Sequence, residues 1–307
     1  MPELEIRPYR SEDSKAAAAL MNDSFPQPSA ITAAAVEHWI ISAPERSQAR
    51  AWVGYEGGRL VAWADAHLRW SIVEQGIAEV WVAVRRDRRG AGVGRQLYAL
   101  AESHVLAVRA RRIETFARED EPESLAFAER RGFSETRRER TWALDLGAAK
   151  APEPRVPDGF HVVRLTDLRK RERELFELYD AAHADMPSDH THELVFEEWR
   201  RETLENPELD LETSSVVLAG DRPVAFAWLT SDRDTRRASH EMTGTHPDFR
   251  GRGLARLAKE ATIHWAVEAG FEYLLTSNDG TNDAMLGLNE RLGYEPRTTL
   301  VELAKTV

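Results

Sequence analysis

The chain has 307 residues, enough for about two domains of ~150 residues that each bury a core. Apolar residues make up 42% and charged ones 30%, a globular balance rather than a disordered one, and no apolar run nears the ~18 residues of a membrane span. A net charge of −11 and the absence of cysteine exclude a basic nucleic-acid footprint, a disulfide framework and thiolate chemistry, and an acidic start without an apolar signal core points to the cytoplasm.

In chain order, residues 4–7 read as a strand, 11–22 and 33–41 as helices, and 51–55 with 60–67 as a hairpin about Glu56-Gly57-Gly58. A strand at 77–84 runs into a glycine-rich loop. The helix after the loop carries an apolar stripe of Leu97, Ala101, Val105 and Val108. A strand at 112–117, a short helix ending at Gly132 and a strand at 139–144 follow. Residues 147–159 hold three prolines and no apolar periodicity, which reads as a linker. The order then repeats: strand 161–164, helices 167–182 and 193–205, hairpin 216–219 with 224–230, strand 239–245, a glycine-rich loop, and a helix striped by Leu254, Leu257, Ala261 and Trp265. Strand 273–277, a helix ending at Gly293 and strand 298–303 complete it.

The repeat is also visible residue by residue. An offset of 161 lays Gly92 on Gly253, Val84 on Thr245, Gly94 on Ala255 and Gly132-Phe133 on Gly293-Tyr294. This is a tandem duplication of a ~150-residue domain. The expected domains are 1–147 and 159–307, joined by 148–158. Each is an α/β (α+β) unit, a mixed and mostly antiparallel sheet flanked by helices. Charge is uneven: residues 1–147 carry 21 basic and 22 acidic side chains, residues 148–307 carry 20 and 30. Eleven acids lie in 180–212 against Arg200 and Arg201 alone. That is a solvated helical face or an acidic rim for a cationic substrate.

Each glycine-rich loop lies between an apolar strand and an amphipathic helix. Glycines let backbone N–H groups face a ligand, and the helix N-terminus and arginines add positive charge, so the pattern suits a pyrophosphate. A Walker loop would need Gly-Lys-Ser/Thr, which neither copy has. The spacing Gly-x-Gly-x-Gly, mid-domain, also misses the dinucleotide fingerprint.

Val82-x-Val84, four residues, then Arg89-x-x-Gly92-x-Gly94 resembles the acetyl-CoA signature of the GCN5-related N-acetyltransferases, and Arg250-x-x-Gly253-x-Ala255 resembles it as well. The tandem arrangement is similar to that of mycothiol synthase-like actinobacterial acetyltransferases. The resemblance implies acetyl-CoA as cofactor. Val82, Ala83 and Val84, or Thr243, Gly244 and Thr245, would hold the pantetheine arm and acyl carbonyl. Arg89, Gly90, Ala91, Gly92, Val93, Gly94 and Arg95, or Arg250, Gly251, Arg252, Gly253, Leu254, Ala255 and Arg256, would hold the pyrophosphate. It also implies direct attack of an amine on the thioester, with a base for the ammonium and an acid for the thiolate.

The family's usual acid, a Tyr preceded by an Asn seven residues earlier, is absent from both copies. The first has Glu121 and Ala128 there, the second Asn282 and Asn289. Candidate bases are Glu79 and Glu241, which strand alternation puts on opposite faces unless a bulge intervenes; His240 is a further candidate. The second copy is expected to carry the chemistry. His183, Asp185, Asp189, His190 and His192 match no metal spacing, and no metal is expected; Asp185 or Asp189 would receive an amine. The expected function is N-acetylation of a small amine by a monomer or homodimer without nucleic-acid or membrane partners. The alternatives are a non-catalytic CoA-binding scaffold and a peptide or protein acetyltransferase.

Overall fold

The computed structural model describes residues 3–24, 31–148, 152–184 and 186–307. It divides into two compact units. One comprises residues up to Glu139 together with Thr299–Val307, and the other Arg140–Thr298.

In the first unit, β1 (Leu4–Pro8) leads through α1 (Ser14–Ser24) and α2 (Ala33–Ser42) to the hairpin β2 (Arg50–Glu56) and β3 (Arg59–Leu68). The hairpin turns on Gly57 and Gly58 at φ 55° and 79°, left-handed values that the twist of a two-residue turn requires. Then come β4 (Ile77–Val84), α3 (Val93–Ala107), β5 (Arg112–Arg118), α4 (Pro122–Glu129) and β6 (Ser134–Asp145). Strands run in the order β1-β2-β3-β4-β5, antiparallel except for β4 with β5. Alternation along β3 and β4 gives the sheet two apolar faces. Ala62, Ala64, Ala66, Ala78 and Val80 pack on Leu97, Ala101 and Val105 of α3. Trp63 and Ala83 pack on α1 and α2.

The second unit repeats the plan with β7 (Phe160–Arg164), α5 (Glu172–His183), α6 (Phe196–Trp199), β8 (Ser215–Ala219), β9 (Arg222–Asp232) and β10 (Arg237–Thr245). It continues with α7 (Leu254–Glu268), β11 (Tyr273–Asp279), α8 (Asp283–Arg291) and β12 (Glu295–Thr306). The helix expected over 193–205 is instead one α turn continued by a π-helical stretch, Arg200–Leu204. Ala225 and Ala227 face α7, whereas Phe226 and Trp228 face α5 and α6. No described helix is long and apolar enough to cross a membrane.

The last strand of each repeat is exchanged. Leu300–Thr306 of β12 pair antiparallel with Arg118–Arg112 of β5, within the first unit. Residues from Arg140 onward in β6 lie beside β11 in the second, where Thr141 Oγ1 meets Ser277 Oγ at 3.0 Å. The units thus part inside β6 and β12, rather than at the linker 148–158.

Candidate active site

Strands β4 and β5 pair only through Ile77–Glu79 with Arg112–Glu114. Beyond these residues they diverge. Val80–Val84 and Thr115–Arg118 become opposite walls of a cleft of about 1100 Å³, floored by Tyr98, Ala128 and Phe133. The free edge of β4 offers backbone donors and acceptors to an extended ligand, as a sheet edge offers them to a strand.

At the cleft mouth sits the loop Arg89–Arg95. Arg89 Nε donates to the Val84 carbonyl at 3.2 Å, which folds the loop back on the strand. Gly90 and Gly92 take φ 78° and 83°. Gly92 is the N-cap of α3 and supplies no side-chain acceptor, so the first N–H groups of a 15-residue helix face the cleft with the helix dipole behind them. Arg86, Arg89, Arg95, Arg130 and Arg131 line the same rim. A Cβ on Gly94 would meet Val84 Cγ2 at 3.3 Å, so glycine there lets helix and strand close up. The set fits a pyrophosphate with an extended arm behind it.

The second unit copies the loop. Gly251 and Gly253 take φ 74° and 76°, and Arg250 Nε donates to the Thr245 carbonyl at 3.3 Å. Strand β10 differs from β4. Its pairing with β9 shifts between His240 and Met242, whereas β3 and β4 stay in register from Ala62–Val84 to Leu68–Ala78. Arg237 and Ser239 meet Tyr273 and Leu275 as Ile77 and Glu79 meet Arg112 and Glu114. The repeat offset is therefore 160 before the bulge and 161 after it. Val80 corresponds to His240 and Glu79 to Ser239, and Glu241 is the extra residue.

The bulge turns Glu241 to the face of α5, where Met242 packs with the α5 and α6 cluster. Glu79 reaches the equivalent face of its own unit by plain alternation. The Glu241 side chain has open surface, yet protein atoms crowd it. Burial, then Glu208, raises its carboxyl, and Glu241 in turn helps burial to raise the Tyr179 hydroxyl.

The other expected residues are spent on structure or stand apart. Asn282 caps α8, accepting from the Met285 N–H at 3.2 Å. Asn289, fully buried, accepts from Lys259 Nζ at 2.8 Å and donates to Asn278 Oδ1 at 2.6 Å. Asp189 is exposed, and Asp185 lies outside the described residues. The rings of His183 and His192 stand 4.3 Å apart, but no group of three potential ligands among the described residues could hold a metal ion.

Lys259 has no surface exposure, and burial pushes its ammonium down to about 7. In the unfolded chain it titrates near 10.5, so between pH 7 and 10.5 the unfolded state binds the extra proton and stability rises with pH. Lys259→Met is therefore expected to raise the melting temperature most below pH 7 and to lose that advantage toward pH 10. Melting curves across this range test it, and a pH-independent difference would refute it.

The sequence matches the acetyltransferase (GNAT) family over residues 15–133 and 173–294. The chain belongs to the GNAT family. It is thus an acyltransferase of N-acetyltransferase type, and enzymes of this family generally draw on acetyl-CoA. A mycothiol acetyltransferase from Nocardia farcinica is 28% identical over 219 residues, 70% of each chain. A tandem GNAT protein from the clavulanic acid biosynthesis pathway superposes with a TM-score of 0.76 at 20% identity, over 99% of this chain and 98% of that one. A GCN5-related N-acetyltransferase from Sphaerobacter thermophilus gives 0.73 at 20% identity, over 99% and 95%. These solved structures share the tandem fold.

Within this GNAT fold, the first unit holds one group that sequence reasoning missed. Asp65 on β3 stands directly across from Trp81 of β4, and His67 across from Glu79. Trp63 Nε1 donates to Asp65 Oδ2 at 2.7 Å. Desolvation, opposed by the Trp63 bond and aided by Glu79, raises the Asp65 carboxyl to about 7. Burial holds the His67 imidazole down. Elsewhere in the unit, recessed acids pair with arginine: Asp13 with Arg7, Glu56 with Arg88, Glu114 with Arg69 and Arg112, and Glu121 with Arg89 and Arg118. Among the described residues, Asp65 and Glu79 have no such cation. The signal was the alternation Trp63-x-Asp65-x-His67, polar residues on the buried face of a strand.

Proposed function

We propose that the protein transfers the acetyl group of acetyl-CoA to the amine of a small molecule, and that transfer takes place in the first unit. The observation that carries this reading is the cleft between β4 and β5, open along the strand edge and closed at one end by the arginine-rimmed loop 89–95. Acetyl-CoA supplies an activated acyl carbonyl. The backbone of Val82–Val84 positions it, and the first N–H groups of α3 with Arg89 and Arg95 hold its anionic end.

The acceptor comes from the α1 and α2 side of the sheet. There Asp65 and Glu79 attract a cationic amine, and Trp81, stacked 5.9 Å from Phe116, gives a flat apolar wall. A carboxylate would take one proton from the ammonium, the amine nitrogen would bond to the carbonyl carbon as the carbon–sulfur bond breaks, and the proton that nitrogen sheds on becoming an amide would pass to the departing thiolate, which leaves as the thiol of CoA. A carboxyl group titrating near 7 is matched to proton transfer at neutral pH.

Asp65→Asn and Glu79→Gln are each expected to lower kcat/KM for the amine by about 10²–10⁴-fold with acetyl-CoA affinity unchanged. Asp65→Asn should also remove an inflection near pH 7 from the rate profile. Thiol release from acetyl-CoA with a panel of primary amines, followed against pH, measures both. Full activity in both variants would refute the assignment. An inert wild type across the panel would favour a CoA-binding scaffold.

A further inference from the structure

We infer that the second unit holds no acyl-CoA: a polar clasp shuts its arm slot, and the chain takes up one donor molecule, in the first unit. The inference rests on reading the first-unit cleft as the donor site.

Five side chains that line the cleft in the first unit are Val80, Tyr98, Ala117, Ala128 and Phe133. The strand registers, the cap glycines and the two Gly-aromatic pairs after α4 and α8 identify their counterparts as His240, Lys259, Asn278, Asn289 and Tyr294. These five join one another. His240 Nε2 and Tyr294 Oη lie 2.8 Å apart, tying β10 to the segment after α8. Lys259 Nζ donates to Asn289 Oδ1 at 2.8 Å, tying α7 to α8, and Asn289 Nδ2 donates to Asn278 Oδ1 at 2.6 Å, tying α8 to β11. Lys259 Nζ also lies 4.9 Å from the centre of the Tyr294 ring. Valine, alanine and phenylalanine at these places cannot make such bonds, and in the first unit the same elements stand around an open cleft.

Two further observations point the same way. Val82 and Val84 line the first cleft, whereas the hydroxyls of their counterparts Thr243 and Thr245 are buried by protein. On the opposite face, α5 sits directly on β10. A Cβ at Gly244 would come within 2.6 Å of Ala182 Cβ and 2.9 Å of the Phe226 ring, whereas the first unit has Ala83 at that position. The second copy has kept the phosphate loop and closed the space behind it.

Calorimetric titration of the full chain with acetyl-CoA tests this. One equivalent is expected, abolished by Gly92→Glu and unaltered by Gly253→Glu. Two equivalents, or a single equivalent lost in Gly253→Glu, would overturn the inference. No binding to the wild type would overturn the donor reading beneath it instead. A second variant gives the slot the residues of the first unit: His240→Val, Lys259→Tyr, Asn278→Ala, Asn289→Ala and Tyr294→Phe together. If melting shows it folded, it is expected to bind a second equivalent that Gly253→Glu then removes. A folded variant still limited to one equivalent would refute the clasp as the cause.

Discussion

Gly92→Glu is expected to weaken acetyl-CoA binding by about 100-fold or more, equivalent to about 2.8 kcal/mol, and to abolish transfer. Two effects combine. The carboxylate enters a cradle built for an anion, where the N–H groups at the start of α3 and the arginines of the rim converge. Any side chain at φ 83° also strains the backbone, by about 1–2 kcal/mol. Gly92→Ala separates the two. Its Cβ would meet nothing nearer than Arg95 Nη2 at 3.7 Å, so it carries the strain without the charge and should keep most of the donor affinity. Calorimetry and melting curves on both variants decide the matter. Equal losses in the two would show that backbone shape, not phosphate recognition, explains the loop.

A chain ending at Thr298 is expected to lose donor binding although every residue of the cleft is still present. Strand β5 forms one wall of the cleft, and β12 is the neighbour that pairs with it from Arg112 to Arg118. Val301 and Leu303 are 2% and 3% exposed and pack in the same core as Leu97 and Ile113. Lys305 pairs with Glu102, its Nζ lying over the rings of Tyr98 and Phe133 at 5.4 and 5.2 Å. Removing the strand bares the edge of β5 and opens that core. Leu303→Ala alone should cost about 2–5 kcal/mol. Hydrogen exchange along Ile113–Ala117, with acetyl-CoA titration of the shortened chain, measures the effect. Unchanged affinity and protection would show that β12 merely covers the unit.

The element order, the duplication and the phosphate loop were legible in the sequence because each is written locally. Period-two alternation and a four-residue apolar stripe need no partner to be recognised. Glycines at the start of a helix announce backbone that no other residue adopts cheaply. Asn282 and Asn289 were legible as residue types but not in their use, since a helix cap and a buried bridge to Lys259 depend on what lies beside them. Asp65 carried no motif; it stands out only when the register puts it across from Trp81, near Glu79 and away from any arginine.

Three features belonged to the tertiary structure alone. The bulge at Glu241 is one added residue that an ungapped offset hides, and only the pairing with β9 and β11 reveals it. The clasp joins β10, α7, β11 and α8, segments that the sequence holds far apart. The exchange of β6 and β12 could not be read at all. Two copies of one domain present two equivalent strand edges, and either last strand satisfies either edge by its own pattern. Local sequence fixes which residues form a strand. Its partner is chosen by packing that neither segment encodes by itself, here Val301 and Leu303 closing the core of the first unit.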